Sequence, residues 1–233
     1  MTKYNLLGVG NNAKTVKGDG SEFLTAILYM APAKQVDGIN VCPMAEMAGC
    51  AKACLYTAGR GRFNNVQQAR MRKTMLWRDD REEFLRLLRE DLERFERYCN
   101  KRNIQPCVRL NGTSDIQWEK FGFIQDFPGV TFYDYSKIVK RAYSDLPPNY
   151  HLTLSYSEAN EEYAERVAMA VADTGRNMAV VFRDKNRIPA TFRGFPVLDG
   201  DKDDLRFLDK PGHVVALYAK GDAKRDATGF VIG

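Results

Sequence analysis

Short apolar runs separated by helix-patterned polar segments recur along this chain, and that alternation restricts its fold more than any other feature. Residues 23–31, 178–182 and 214–218 are almost continuously apolar. Such runs suit strands covered on both faces, as in a parallel sheet. Residues 107–111, 130–135, 150–155 and 195–198 continue the series, and residues 4–10 read as a short strand or turn. Between them lie helical patterns. Asn64 and Asn65 are candidate N-caps for a helix to about Trp77, with Val66, Ala69 and Lys73 at helical spacing. The sequence Asp80-Arg-Glu-Glu83 reads as a capping box. It opens a helix whose inner face is Phe84, Leu88, Leu92, Phe95 and Cys99, and whose outer face pairs Glu82–Arg86, Glu90–Arg94 and Glu93–Arg97. Shorter helical segments are expected over 118–125 and 138–143, and Asn160 caps a helix that Gly175 closes. About seven strands in β/α repetition predict an α/β fold, a TIM-like (β/α) barrel, full or partial. With 233 residues and 44% hydrophobic content, residues 1–233 form one domain. An open doubly wound sheet is the alternative, but no G-x-G-x-x-G follows the first strand.

Cys42, Cys50 and Cys54 are spaced C-x7-C-x3-C in a loop at about 32–63, directly after the first long apolar run. Residues 1–17 lack the apolar core of a secretory signal, and the five cysteines are an odd number. Both observations argue against a disulfide framework and for ligating or catalytic thiols in a cytoplasmic protein. No run approaches the length of a membrane span. Structural zinc normally closes four protein ligands, whereas a [4Fe–4S] cluster is held by thiolates. Three cysteines leave one iron open to solvent, substrate or a small-molecule ligand. Cys99 lies near a helix end, and Cys107, His151 and His213 lie at strand starts, on the opposite rim of a barrel. Neither a Cys/His zinc site nor a thiol with a histidine base is therefore expected.

In β/α barrels the reactive rim lies at the C-terminal strand ends. Those ends read Asn111-Gly-Thr-Ser-Asp115, Tyr135-Ser-Lys137, Ser155-Tyr-Ser157, Arg183-Asp184, Asp199-Gly-Asp201 and Lys220-Gly221. Asn111, Asp115, Lys137, Asp199, Asp201 and Lys220 are accordingly candidates to line a pocket above the cysteine loop. Residues 59–78 carry six cations and no acid. Within them Arg60 and Arg62 are candidates to bind a carboxylate, a phosphate or a nucleic-acid backbone, the plainer reading being a solvated helix face. The stretch Gly8-Val-Gly-Asn-Asn-Ala-Lys14-Thr15 nearly matches a Walker A loop. Ala13 replaces its second glycine, and the following Gly18-Asp-Gly20 is poor helix material, so a nucleotide site is not favoured.

Ala31-Pro-Ala-Lys34, Val41-Cys-Pro43, Gly49-Cys50, Cys54-Leu55 and Thr57-Ala-Gly-Arg-Gly-Arg-Phe63 resemble the phage gene product 88 family. So do Arg109-Leu-Asn-Gly-Thr-Ser-Asp115, Asp199-Gly-Asp201 with Leu205-Arg206, and Ala219-Lys-Gly221. The resemblance covers nearly the whole chain and implies a phage-encoded, non-structural protein of the host cytoplasm. A looser similarity is to radical S-adenosylmethionine enzymes, which place three cysteines in the loop after the first barrel strand. Cys42, Cys50 and Cys54 occupy that loop, with a spacing that departs from C-x3-C-x2-C. That similarity implies S-adenosylmethionine at the open iron.

The residues lead to a cluster-dependent redox protein or enzyme, using a small-molecule ligand or electron donor. A nucleic-acid or host-protein binding module with a structural metal is the alternative. A metal-independent hydrolase built on Asp115, Asp199 and Asp201 is a third reading.

Overall fold

The computed structural model describes residues 5–10, 22–54, 56 and 58–233. Most of the Walker-like stretch therefore lies outside the described residues. The described chain is mixed α/β, with ten strands in one mostly parallel sheet and three α-helices. In chain order the elements are β1 (Leu7–Val9), β2 (Phe23–Leu28), α1 (Asn64–Asp79), α2 (Arg81–Asn100), β3 (Gln105–Arg109), β4 (Thr131–Ser136) and β5 (Tyr150–Ser155). They continue with α3 (Glu161–Thr174), β6 (Met178–Phe182), β7 (Thr191–Phe192), β8 (Phe195–Asp199), β9 (Val214–Tyr218) and β10 (Val231–Ile232).

Strands β2 to β6 lie side by side in sequence order and are parallel, followed by β9 and then β8. This order excludes the doubly wound alternative, which needs the strand order to reverse in the middle. The expected closed barrel does not form either. β1 pairs antiparallel with the outer edge of β2, and β7 pairs antiparallel with β8. Each hairpin-like partner takes the edge that closure would use, so the sheet remains open. β10 pairs with β6 at Val181 and Phe182, on the edge that β5 has left after pairing at Met178 and Ala179.

All three helices cover one face. α1 and α2 pack on Ala26, Leu28, Val108, Leu110 and Phe132 through Trp77, Phe84, Leu88, Leu92 and Phe95. α3 packs on Leu152, Leu154, Met178, Val180 and Val214. Strand residues alternate between faces, so the opposite face carries Thr25, Cys107, Arg109, Tyr133 and Tyr135. It is covered by the segment after β8. Phe207 lies edge-on to Phe23 and Tyr133, with ring centroids 5.6 and 5.5 Å apart, and Asp204 pairs with Arg109 at 2.7 Å.

Local signals hold with small corrections. The Asp80 carboxylate accepts the Glu83 N–H at 3.0 Å, but Glu83 turns to Arg86 and does not complete the reciprocal box. The residue at the N-cap of α1 is Phe63, with no side-chain cap, and Asn64 and Asn65 lie inside the first turn. The buried side of α1 is Arg70, Thr74 and Trp77, one position on from the expected stripe, whose members are only half-buried. Cys99 and Cys107 are fully buried, as their positions imply.

The first strand is pinned by one carboxylate. Asp91, fully buried in α2, accepts the backbone N–H groups of Asn5, Leu6 and Leu7 at 3.0, 2.6 and 3.0 Å. Lys73 donates to the Leu6 carbonyl, and burial pushes its ammonium down to about 8. Asp91→Ala would leave three backbone donors without their acceptor and remove a counter-charge from Arg94 and Lys73, and we expect a loss of about 3–5 kcal/mol in urea unfolding. A second buried carboxylate, Asp134, accepts the Asn111 N–H at 2.8 Å and the Tyr150 hydroxyl at 2.9 Å, and burial raises its pKa to about 6. Between its unfolded value near 4 and about 6 the folded state binds the extra proton, so stability falls as pH rises through that window. Asp134→Asn keeps the shape, and the difference from wild type in unfolding free energy should change by up to about 3 kcal/mol between pH 4 and 7.

Candidate functional site

The cysteine loop leaves β2 and crosses the C-terminal ends of the parallel strands. Thr74 of α1 fixes its beginning by accepting the Ala31 N–H at 2.9 Å. Asn40 caps the Cys42 N–H at 2.9 Å, and successive turns carry the chain from Cys42 to Gly49. Three loops then receive it. The Asp115 N–H donates to the Val41 carbonyl at 2.7 Å, and the Cys42 thiol lies 3.6 Å from the Thr113 carbonyl. Ser157, after β5, donates to the Ala48 carbonyl at 2.7 Å. Thr228, before β10, donates to the Gly49 carbonyl at 3.1 Å. Ala53 completes the attachment in an apolar cluster with Ala219, Ala223 and Val231.

Cys42, Cys50 and Cys54 are each half-buried on this loop. Burial first, then the neighbouring Cys54, Asp115 and Cys50, push the Cys42 thiol up to about 12 against a favourable hydrogen bond at Ala33. Burial also raises Cys54, with Cys50 adding to the effect and Lys137 and Arg70 opposing it. The loop thus brings Cys50 and Cys54 near enough to Cys42 to act on its thiol. Among the described residues, however, no three Cys, His, Asp or Glu side chains stand in a ready coordination group. As free thiols, Cys42 and Cys54 would be protonated near neutral pH, and both histidines lie at strand starts. A thiolate nucleophile is therefore disfavoured. Three thiols on one loop are of the donor type that metal–thiolate centres use. Such sites are commonly assembled by the metal itself.

The other candidates divide into groups. Asn111 is buried and shapes its own loop: its Oδ1 accepts from Ser114 Oγ, Ile116 N and Trp118 Nε1 at 2.9–3.0 Å. Asp115 accepts Ser136 Oγ and Lys137 N, both at 2.7 Å, and lies 3.5 Å from the buried Arg141. Lys137 reaches Ser155 Oγ at 2.5 Å and lies over the Phe230 ring. Asp115 and Lys137 thus stand beside the cysteines. Asp199, Asp201 and Lys220 form a separate group: Asp201 pairs with Lys220 at 2.6 Å and accepts the Tyr218 N–H, while Asp199 caps the Asp201 N–H. Arg60 and Arg62 are exposed. Arg62 lines a cleft of about 520 Å³ with Tyr56, Gln67, Lys224 and Arg225.

One cation escaped the sequence reading. Arg70 is 8% exposed, its guanidinium lies 4.8 Å over the Tyr29 ring, and Cys54 lies within its electrostatic reach. Among the described residues its Nε and Nη1 are buried without a hydrogen-bond partner. The available signal was its position on the helix, four residues before Thr74 and seven before Trp77.

The fold and loop define an α/β protein with a parallel sheet and a three-cysteine loop laid over its strand ends. The family model described as gene product 88 matches residues 5–233, and the chain belongs to that family. No curated protein and no solved structure matches it.

Gly49 tests the docking of the loop. Its φ is +66°, and an added Cβ would lie 2.4 Å from Thr228 Oγ1 and 2.8 Å from the Ala159 Cβ. Gly49→Ala should cost about 1–3 kcal/mol in thermal unfolding. It should also speed the reaction of Cys50 and Cys54 with a thiol reagent.

Proposed function

We propose that this protein is a phage-encoded [4Fe–4S] protein of the host cytoplasm, with Cys42, Cys50 and Cys54 as the cluster ligands. The observation that carries the reading is a single loop with three half-buried thiols, without histidine, laid across the C-terminal ends of parallel strands near Arg70 and Lys137. Such a cluster supplies one-electron chemistry and, at an iron without a protein ligand, a place for a small molecule. The chain's own contribution is to hold the thiols in a half-buried, cation-flanked setting through Asp115, Ser157 and Thr228. Asp115 also orients Lys137 by accepting its backbone N–H. S-adenosylmethionine is a candidate for the open position, on the likeness of the loop's place in the fold to that of radical enzymes.

Anaerobic purification or reconstitution should give a brown protein with about four iron and four sulfide per chain. Alanine at Cys42, Cys50 or Cys54 should abolish or strongly reduce both. A change in the electron paramagnetic resonance of the reduced protein on adding S-adenosylmethionine would identify that ligand. A folded chain that stays colourless and iron-free after reconstitution would sink the cluster reading.

One observation favours a second reading, a nucleic-acid or host-protein binding module. Arg62, Lys224 and Arg225 converge on one cleft, with Asp222 paired to Arg225. That reading predicts zinc in place of iron and steeply salt-dependent binding to DNA or RNA.

A further inference from the structure

The cleft between the turn that follows the cysteine loop and the turn at Gly221–Arg225 collects charge that the chain does not balance. Tyr56, Arg62 and Gln67 form one wall, and Asp222, Lys224 and Arg225 the other, around a volume of about 520 Å³. That size suits a small organic ligand, for which clefts of roughly 300–1,000 Å³ are usual. Among the described residues that line it, Asp222 is the one acid, and it pairs with Arg225 at 2.8 Å. Arg62 and Lys224 have no carboxylate partner among the described residues. Both walls are held from behind. Arg183 donates to the Lys224 and Asp226 carbonyls at 2.9 and 2.7 Å, which fixes the second wall. In the first, the Gly61 N–H donates to the Ala58 carbonyl at 3.1 Å, and the Gln67 carboxamide donates to the Gly61 carbonyl at 3.3 Å. Behind Gly61 stands Arg70: a Cβ placed on Gly61 would lie 2.5 Å from the Tyr56 carbonyl oxygen and 3.3 Å from Arg70 Nη1. That guanidinium is buried, and among the described residues its Nε and Nη1 have no hydrogen-bond partner. Its charge adds to the positive potential of this wall, where little solvent screens it.

We propose that this cleft binds the phosphoryl group of a small phosphomonoester, with Arg62 and Lys224 as its principal partners. Two positive charges stand uncompensated across the cleft, and a phosphomonoester carries about −1.5 to −2 near neutral pH. A carboxylate would answer only one of them, as would a single phosphodiester link of a nucleic-acid backbone. Arginine presents a planar fork that matches phosphate oxygens, and lysine adds a point charge from the opposite wall. Tyr56 and Gln67, on the same wall as Arg62, are left to meet the organic part of the ligand. The inference goes beyond both readings above. It needs no metal, and its ligand ends in a phosphate instead of running through the cleft as a strand.

The test titrates the full chain by calorimetry with phenyl phosphate, with benzoate, and with a short single-stranded oligonucleotide lacking terminal phosphates. Ionic strength is fixed at about 0.15 M, so that bulk screening is the same throughout. Phenyl phosphate should saturate one site per chain, and benzoate should bind at least about fivefold more weakly. Arg62→Ala and Lys224→Ala remove exposed side chains and leave the backbone contacts of both walls in place. Each should weaken phenyl phosphate at least about fivefold. Lys101→Ala, an exposed cation at the end of α2, should leave its binding unchanged. Absence of saturable binding overturns the proposal, and so does binding that survives both cleft substitutions or benzoate that binds as tightly. A chain that takes up the oligonucleotide but ignores phenyl phosphate also overturns it and leaves the cleft to the nucleic-acid reading. Iron and sulfide are counted on the same samples. An iron-free chain that binds phenyl phosphate through Arg62 and Lys224 refutes the cluster reading and upholds this one.

Discussion

The ion pair between Arg109 and Asp204 is the contact on which the second face of the sheet depends. Parallel strands laid down in sequence order leave the three described α-helices on one side of the sheet. The opposite side then needs another cover. Arg109, at the end of β3, is held charged by Asp204 across 2.7 Å despite burial. Phe207 fills the space over Phe23 and Tyr133. Removing either partner would strand the other charge in a poorly solvated interior, a cost of about 3–5 kcal/mol. The segment after β8 thus does for this open sheet what closure does for a barrel.

Behind the strand ends a second set of buried polar groups fixes the loops that receive the cysteines. Arg141, with no exposed surface, bonds Glu119 through two nitrogens at 2.9 and 2.7 Å and reaches Tyr150 and Asp115. Tyr150 continues to Asp134, and Asp134 to the Asn111 backbone. The loop after β3 that meets Cys42 is therefore tied to the interior by charge-assisted hydrogen bonds, which are stronger than neutral ones. Local rigidity of this kind suits a site whose ligands come from a long loop.

Much of this was legible in the sequence. Apolar runs located the long strands because a parallel strand is buried on both faces, and the five apolar residues expected on the inner face of α2 are all buried, joined there by Asp91, which the pattern did not announce. What failed was what local pattern cannot encode. Whether a sheet closes depends on which strands claim its edges; β1 fell within a stretch read only as a short strand or turn, and β7 and β10 are too short to announce themselves. Asn111 and Asp115 were recognised as strand-end polar groups, but the sequence could not say that Asn111 spends its carboxamide on its own loop. In the basic segment, composition drew attention to Arg60 and Arg62, which lie in solvent. Only helical phase distinguishes Arg70, and phase was misjudged by one residue.

The attachment of the cysteine loop joins residues far apart along the chain: Gly49 is received by Thr228, a separation of 179 positions. During synthesis the thiols emerge long before Thr228, so their loop is fastened in stages, with Asp115 and Ser157 available first and Thr228 only later. The surroundings of the three cysteines therefore depend on how much of the sheet beneath them has been made.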